Sequence, residues 1–297
     1  MCGIVGLLVK KPSLQEQLGE LMMPILLGMT SRGPESAGMA VFTAPVDAGS
    51  RKFSIYAGST QAPWTSFEED AHAALGTAVV SINANHAVLE TDAPAQQVRA
   101  WLTRSYHAYH LLSIGQSIDL YKDTGTPAEV AARYHFPTLR GTHLVGHTRM
   151  ATETAVTPER AHPFTAGEDF CLVHNGSLSN PYSVRRKLEP LGIHFETDND
   201  TEAACRFLEW RMREGDDLET ALEKGFDELD GFYTFLMGTR DELALVRDAF
   251  ACKPAIVAET DDYVAISSEF RSLAKLPGVK HANIFEPKPE QIYIWRA

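Results

Sequence analysis

The sequence predicts an α+β fold in which antiparallel sheets are stacked between layers of helix. Two observations lead there. Strand-like and helix-like segments come in blocks rather than in strict alternation, which argues against a doubly wound parallel sheet. The strand-like runs are short, apolar and bounded by turn residues, whereas the helical segments carry one apolar face each. Such a helix covers a sheet with one side and meets water with the other.

Taken in order, Ile4 to Val9 reads as a buried strand. Ser13 is the expected N-cap of a helix with Leu14, Leu18, Leu21, Ile25 and Leu26 on one face, kinked or split at Pro24. Arg32 to Gly38 is rich in turn residues and leads into a strand at Met39 to Phe42, with Phe53 to Tyr56 as its antiparallel neighbour. From about 66 to 136 the character changes. Val79 to Ile82 and His86 to Glu90 read as strands, and Ala95 to Tyr109 and Thr126 to Tyr134 as helices. This stretch is a subdomain or an insertion within one domain that spans 2–297. Further strands are expected at Val145 to Arg149, Phe170 to His174, Phe232 to Gly238, Glu242 to Asp248, Ala255 to Glu259 and Tyr263 to Ser267. Further helices are expected at Pro181 to Leu191, Thr201 to Glu214 and Leu218 to Leu229.

Composition excludes several classes of function. The 297 residues are 44% hydrophobic and 22% charged, as in a globular protein with a sizeable core. A net charge of −12 argues against non-specific binding to nucleic acid or to an anionic membrane, both of which need basic patches. No apolar run approaches the ~20 residues of a membrane span, and no basic-then-apolar leader opens the chain. The four cysteines, Cys2, Cys171, Cys205 and Cys252, form no CxxC pair. Neither zinc nor a disulfide framework is expected, and a cytoplasmic location is.

Four segments carry the chemistry. Loss of Met1 would leave Cys2 at the head of the chain with a free α-amine. The thiolate is a nucleophile, and an amine on the same residue can act as its base. By itself Cys2 reads more simply as a small buried hydrophobe. Gly146 to Thr152 places Arg149 at a strand end, suited to a carboxylate through its fork or to an ordinary salt bridge. His174-Asn175-Gly176 offers an amide and a following backbone N–H, a donor pair for an oxyanion. Asn-Gly also spells a two-residue hairpin turn. Thr197 to Glu202 precedes an apolar-periodic helix, where Asp200 or Thr201 caps the helix or a carboxylate meets an ammonium group.

Together these segments resemble the class II glutamine amidotransferases, whose catalytic domain is an N-terminal-nucleophile hydrolase. That family opens Cys-Gly-Ile, then carries Arg-Gly-x-[Asp/Glu]-Ser-x-Gly, Gly-His-x-Arg-x-[Ala/Ser]-Thr, His-Asn-Gly and Asp-Thr-Glu segments. Here they stand in that order as Cys2 to Ile4, Arg32 to Gly38, Gly146 to Thr152, His174 to Gly176 and Asp200 to Glu202. The resemblance implies a four-layer αββα sandwich of two antiparallel sheets, with an inserted α/β segment at about 66–136. It implies Cys2 as the nucleophile and Asn175 and Gly176 as the oxyanion hole. It implies Arg149 and Thr152 on the substrate carboxylate, Asp200 on its ammonium, and Arg32 in support near the nucleophile. No metal is implied.

Two departures narrow the resemblance. Met150-Ala151-Thr152-Glu153 replaces an aromatic-containing segment of the sugar-phosphate and purine enzymes, and the interval between the Arg32 loop and Arg149 is long. Tyr121 to Gly125 and Arg140 to His143 ahead of Arg149, with Met150 to Glu153 after it, resemble the stand-alone subunits of the glutamate-synthase-like group, such as the amidotransferase-like subunit of N-methylglutamate synthase. The implied activity is cleavage of the side-chain amide of glutamine, or of another γ-glutamyl amide, through a thioester on Cys2. Ammonia or an amine then passes to partner synthase subunits of a hetero-oligomer, which would hold flavin and iron–sulfur clusters. No cofactor is expected in this chain. Two alternatives stand beside this: a free-standing amide hydrolase of the same fold, and a catalytically silent structural subunit.

Overall fold

The computed structural model describes residues 2–58, 64–150 and 157–297. In chain order the first strands are β1 (Gly3–Val9), β2 (Ser36–Phe42), β3 (Arg51–Tyr56), β4 (Ala78–Asn83), β5 (His86–Thr91), β6 (His110–Gly115), β7 (Ile118–Thr124) and β8 (His143–Arg149). They are followed by β9 (Phe164–Thr165), β10 (Cys171–Leu178), β11 (Gly231–Gly238), β12 (Glu242–Arg247), β13 (Ile256–Glu259), β14 (Tyr263–Ser267), β15 (Asn283–Phe285) and β16 (Tyr293–Arg296). The helices are α1 (Leu18–Gly28), α2 (Phe67–Leu75), α3 (Ala95–Ser105), α4 (Pro127–Arg133), α5 (Pro181–Leu188), α6 (Asp200–Arg213), α7 (Leu218–Glu228) and α8 (Phe270–Leu273).

β1 shows how the layers arise. Side chains alternate across a strand. Val5, Leu7 and Val9 enter a core shared with Met22, Ile25 and Leu26 of α1, while Ile4 and Leu8 enter one shared with Val173 of β10 and Leu236 of β11. The first core lies between helices and a sheet, and the second between two sheets. A third core joins the far face of β10 and β11 to α5, α6 and α7. The order of layers is therefore helix, sheet, sheet, helix, as expected.

Among the described residues, one sheet runs β15-β13-β14-β1-β8-β2-β7 and the other β16-β12-β11-β10-β9, and the pairings within them are antiparallel. A smaller sheet, β4-β5-β3-β6, packs on α2 and α3 around Phe53, Phe67, Leu89 and Trp101. Residues 66–136 thus divide between two sheets. Strands β4, β5 and β6 belong to the small sheet, whereas β7 joins the large one and α4 packs beneath it. The small sheet also takes β3, so its strands span Arg51–Gly115. Asp123 fastens it down: its Oδ2 accepts from Asn85 Nδ2 at 3.2 Å and from Tyr134 OH at 2.6 Å.

Several local expectations are corrected. Ser13 caps no helix; it lies in a 3-10 turn, Pro12–Gln17, and α1 starts at Leu18 and runs unbroken through Pro24. Phe53 to Tyr56 does not pair with β2, because β7 and β8 occupy both edges of β2 and β3 lies instead between β5 and β6. The helix from Ala95 stops at Ser105, where Tyr106 turns away to pack on Phe67 and Trp101. His110 then opens a strand. β7, β9, β15 and β16 lack a sequence signal, being short, polar or at a sheet edge.

Candidate active site

The register of the large sheet gathers three of the sequence-predicted residues at one end. Gly3 pairs with Thr148 and Ser36 with Arg149, so the residue before β1, the end of β8 and the loop before β2 converge. That loop lies directly on β8. A Cβ on Gly33 would sit 2.3 Å from the Thr148 carbonyl carbon, so only glycine fits there.

Cys2 is partly buried, and its carbonyl accepts from Arg32 Nε at 3.0 Å. Arg32 Nη1 donates to Glu269 Oε1 at 3.1 Å, and Arg271 holds the other oxygen of Glu269 at 2.6 Å. Arg32 Nη2 is buried and without a hydrogen-bond partner among the described residues. Glu269 carries no sequence signal, since its partner is 237 positions away. Arg149 is 9% exposed and donates from Nη1 to the Arg160 carbonyl at 3.0 Å.

The second sheet brings the next pair. Asn175 and Gly176 lie inside β10, opposite Thr234 and Tyr233, and do not form a hairpin turn. Asn175 is 3% exposed, and its Nδ2 has no partner among the described residues. An unmade donor in such a place is costly unless a ligand satisfies it. Gly176 has φ +149°, and a Cβ there would lie 2.1 Å from the Phe232 carbonyl oxygen.

Histidines tie the two sheets together. His147 Nε2, on β8, donates to the His174 carbonyl on β10 at 3.0 Å. The Thr201 hydroxyl joins His174 Nδ1 at 3.1 Å and His162 Nε2 at 2.8 Å, and His147 and His162 stack at 4.0 Å. Burial holds His147 down at about 3 and His162 well below the usual imidazole value. These two rings are neutral struts at physiological pH. Local pattern offers Thr201 only as a helix cap and gives His162 no role at all; both join the site through contacts between layers.

Asp200 opens α6 but does not cap it; the cap is Asn199, whose side chain accepts from Thr201 N at 2.9 Å. The Asp200 carboxylate is thereby free to reach β10. Its Oδ2 accepts from Leu178 N at 2.9 Å, and its Oδ1 lies 3.8 Å from His174 Nδ1. Burial alone would raise this carboxyl, but His174 and the amides of Leu178 and Thr201 outweigh it and hold the group at about 2. Asp198 pairs with Arg160 at 3.2 Å, and Glu202 accepts from the amides of Glu196 and Thr197, each at 2.8 Å. Thr152 and Met1 lie outside the described residues.

Cys171 and Cys205 are fully buried, and burial pushes the first thiol up to about 12 and the second well up. They are inert core residues. Among the described residues no group of three or more His, Cys, Asp or Glu is placed to hold a metal, and no helix is long and apolar enough to cross a membrane. What the site offers is a thiol, an amide donor without a partner among the described residues, a guanidinium and a fixed carboxylate, set on β10, on the ends of packed strands and at the start of α6.

Known proteins are similar to this chain in sequence and in fold. A glutamine amidotransferase domain model matches residues 147–275. The chain is 45% identical over 296 residues to the glutamine amidotransferase-like protein GlxB of Rhizobium meliloti, covering 99% of this chain and 98% of that one. It is 32% identical over 178 residues to the amidophosphoribosyltransferase of Archaeoglobus fulgidus, covering 59% of this chain and 39% of that enzyme. The solved glutamine phosphoribosylpyrophosphate amidotransferase of B. subtilis superposes with a TM-score of 0.63 at 19% identity, over 99% of this chain and 47% of that one. That likeness shows the fold, and the chain spans about half the solved enzyme's length. By near full-length identity, the chain belongs to the glutamine amidotransferase family, in its class II form built on the N-terminal-nucleophile hydrolase fold.

Proposed function

We propose that this chain is a glutaminase-type subunit that opens the side-chain amide of glutamine, or of a related γ-glutamyl amide, through a thioester on Cys2. The observation that carries the reading is Asn175 Nδ2, a buried amide donor with no partner among the described residues, on the strand packed against β1 and β8. Such a donor suits an acceptor that arrives with a substrate.

The steps follow from the residues. With Met1 removed, the Cys2 α-amine takes the thiol proton and Sγ attacks the amide carbon. The oxyanion is held by Asn175 Nδ2 and the Gly176 N–H. As the carbon–nitrogen bond breaks, the α-ammonium returns the proton to the leaving nitrogen, which departs as ammonia or an amine. Water, deprotonated by the same amine, then cleaves the thioester to release glutamate and the thiol. Arg149, with Thr152, binds the α-carboxylate, and Asp200 binds the α-ammonium. Arg32 steadies Cys2 through its carbonyl.

In this proposal the released nitrogen goes to synthase subunits of an N-methylglutamate-synthase or glutamate-synthase-like complex, with flavin and iron–sulfur clusters in those partners and no cofactor here. The resemblance of the segments around Arg149 supports that setting. The decisive experiment is glutamine hydrolysis by wild-type and Cys2→Ala protein, with intact mass read in parallel. Loss of activity in Cys2→Ala, and a wild-type mass lacking Met1, are the expected results. Undiminished hydrolysis by Cys2→Ala would overturn the mechanism.

A further inference from the structure

We infer that the chain has a second binding site, separate from Cys2, for a small monocarboxylic acid with an aliphatic body. The site is a cavity of about 170 Å³ where β6 of the small sheet faces β9 and the segment leading into α6. Cys2, Arg149, Asn175 and Asp200 do not line it.

The polar groups that the fold leaves unsatisfied there are donors. Ser113 is 3% exposed, lines the cavity, and its hydroxyl has no partner among the described residues. Arg206 Nε is likewise buried and unpartnered. Arg206 Nη2 sits 3.6 Å from Glu202 Oε1 and 3.7 Å from Glu196 Oε1, ion pairs that leave the Nε–H unused among the described residues. At the floor Lys122 donates to the carbonyl of Ala161 at 2.9 Å, and burial brings its ammonium down to about 8, still cationic at neutral pH. Two donors unmade among the described residues, one of them on a guanidinium, in a lining that also holds Arg99 and Lys122, suit an acceptor that carries charge.

The remaining lining sets the charge and shape of that anion. Leu112 and Phe164 give apolar walls suited to a short aliphatic chain. Glu159, Glu196 and Glu202 also border the space. Their carboxylates repel a doubly charged phosphate more than a single carboxylate. A monocarboxylate therefore matches the donors and the walls together, in a lining where Arg99, Lys122 and Arg206 balance the three glutamates.

The test uses the full-length protein and isovalerate as probe, followed by titration calorimetry and melting temperature. Isovalerate is expected to bind saturably. Affinity should fall about tenfold in Arg206→Gln and about threefold in Ser113→Ala, the range for loss of a charged and a neutral hydrogen bond. The uncharged analogue 3-methylbutan-1-ol should bind about tenfold more weakly. Ser113→Ala removes no hydrogen bond among the described residues, so it decides the matter if Arg206→Gln does not fold. Absence of saturable binding, equal affinity in the variants, or tighter binding of inorganic phosphate than of isovalerate would each overturn the inference.

Discussion

Arg32 Nε donates to the carbonyl oxygen of Cys2 at 3.0 Å. Cys2, the proposed nucleophile, is thus held through its own main chain, and the guanidinium that holds it is itself held by Glu269. Arg32→Lys keeps the charge but loses the two-sided fork that spans Cys2 and Glu269. Glutaminase kcat should fall about tenfold or more, equivalent to ~1.4 kcal/mol on the barrier, with a smaller loss in Glu269→Gln. Steady-state kinetics on both variants would test this. Unchanged kcat in Arg32→Lys would show that Cys2 is placed by other means.

Asn175→Ala removes one donor of the proposed oxyanion hole. A loss of about 10²- to 10³-fold in kcat is expected, with KM for glutamine changed little, because the oxyanion exists only after attack. The native amide has no partner among the described residues, so melting temperature should hold or rise. A loss confined to KM would assign Asn175 to ground-state binding instead.

Gly176→Ala tests the backbone half of the same donor pair. The residue has φ +149°, and its new Cβ would meet the Phe232 carbonyl oxygen at 2.1 Å. Both stability and activity should fall, since β10 must shift away from β11 to admit a methyl group. A variant that melts with the wild type would contradict the close approach of the two strands.

Asp200 has its carboxyl held at about 2, below the ordinary 3.8. Its contribution to stability is complete above about pH 4 and is lost as pH falls toward 2. The group is ionised throughout the neutral range, so KM for glutamine should not titrate on its account between about pH 5 and 8. Asp200→Asn should raise KM at least tenfold, the scale of losing a charged partner to the substrate ammonium. Kinetics across that pH range check both statements.

His86, His143 and His147 are buried and held at about 3, 4 and 3, where free imidazole titrates at 6.5. The unfolded chain takes up protons below about 6.5 that the native chain refuses, so stability falls as pH drops from there toward 3. The melting temperature should decline steadily between about pH 7 and 5. In His143→Gln that decline should be shallower, because one refused proton is gone. A flat profile would refute the burial argument.

Much of the fold is legible because strands and helices are written in local periodicity. Val5, Leu7 and Val9 alternate with Ile4 and Leu8, and the two sets enter different cores as a strand buried on both faces requires. The helix at Pro127 is legible from its cap, since Thr126 and Glu129 form a capping box. Partner choice is not legible. Phe53 to Tyr56 looks like any neighbour of β2, and only the occupation of both edges of β2 by β7 and β8 sends it to another sheet.

The sequence alone determined which chemical groups this protein possesses and the order in which they come: Cys2, Arg32, Arg149, Asn175, Gly176, Asp200. It did so because residue type and local pattern are properties of short stretches. The tertiary structure decided what those groups touch. It chose Asn199 over Asp200 as the helix cap, freed the Asp200 carboxylate for β10, set Glu269 behind Arg32 and buried Asn175 without a partner among the described residues. Each of those outcomes rests on pairing across sheets and layers, often between residues more than a hundred positions apart, which local periodicity does not encode.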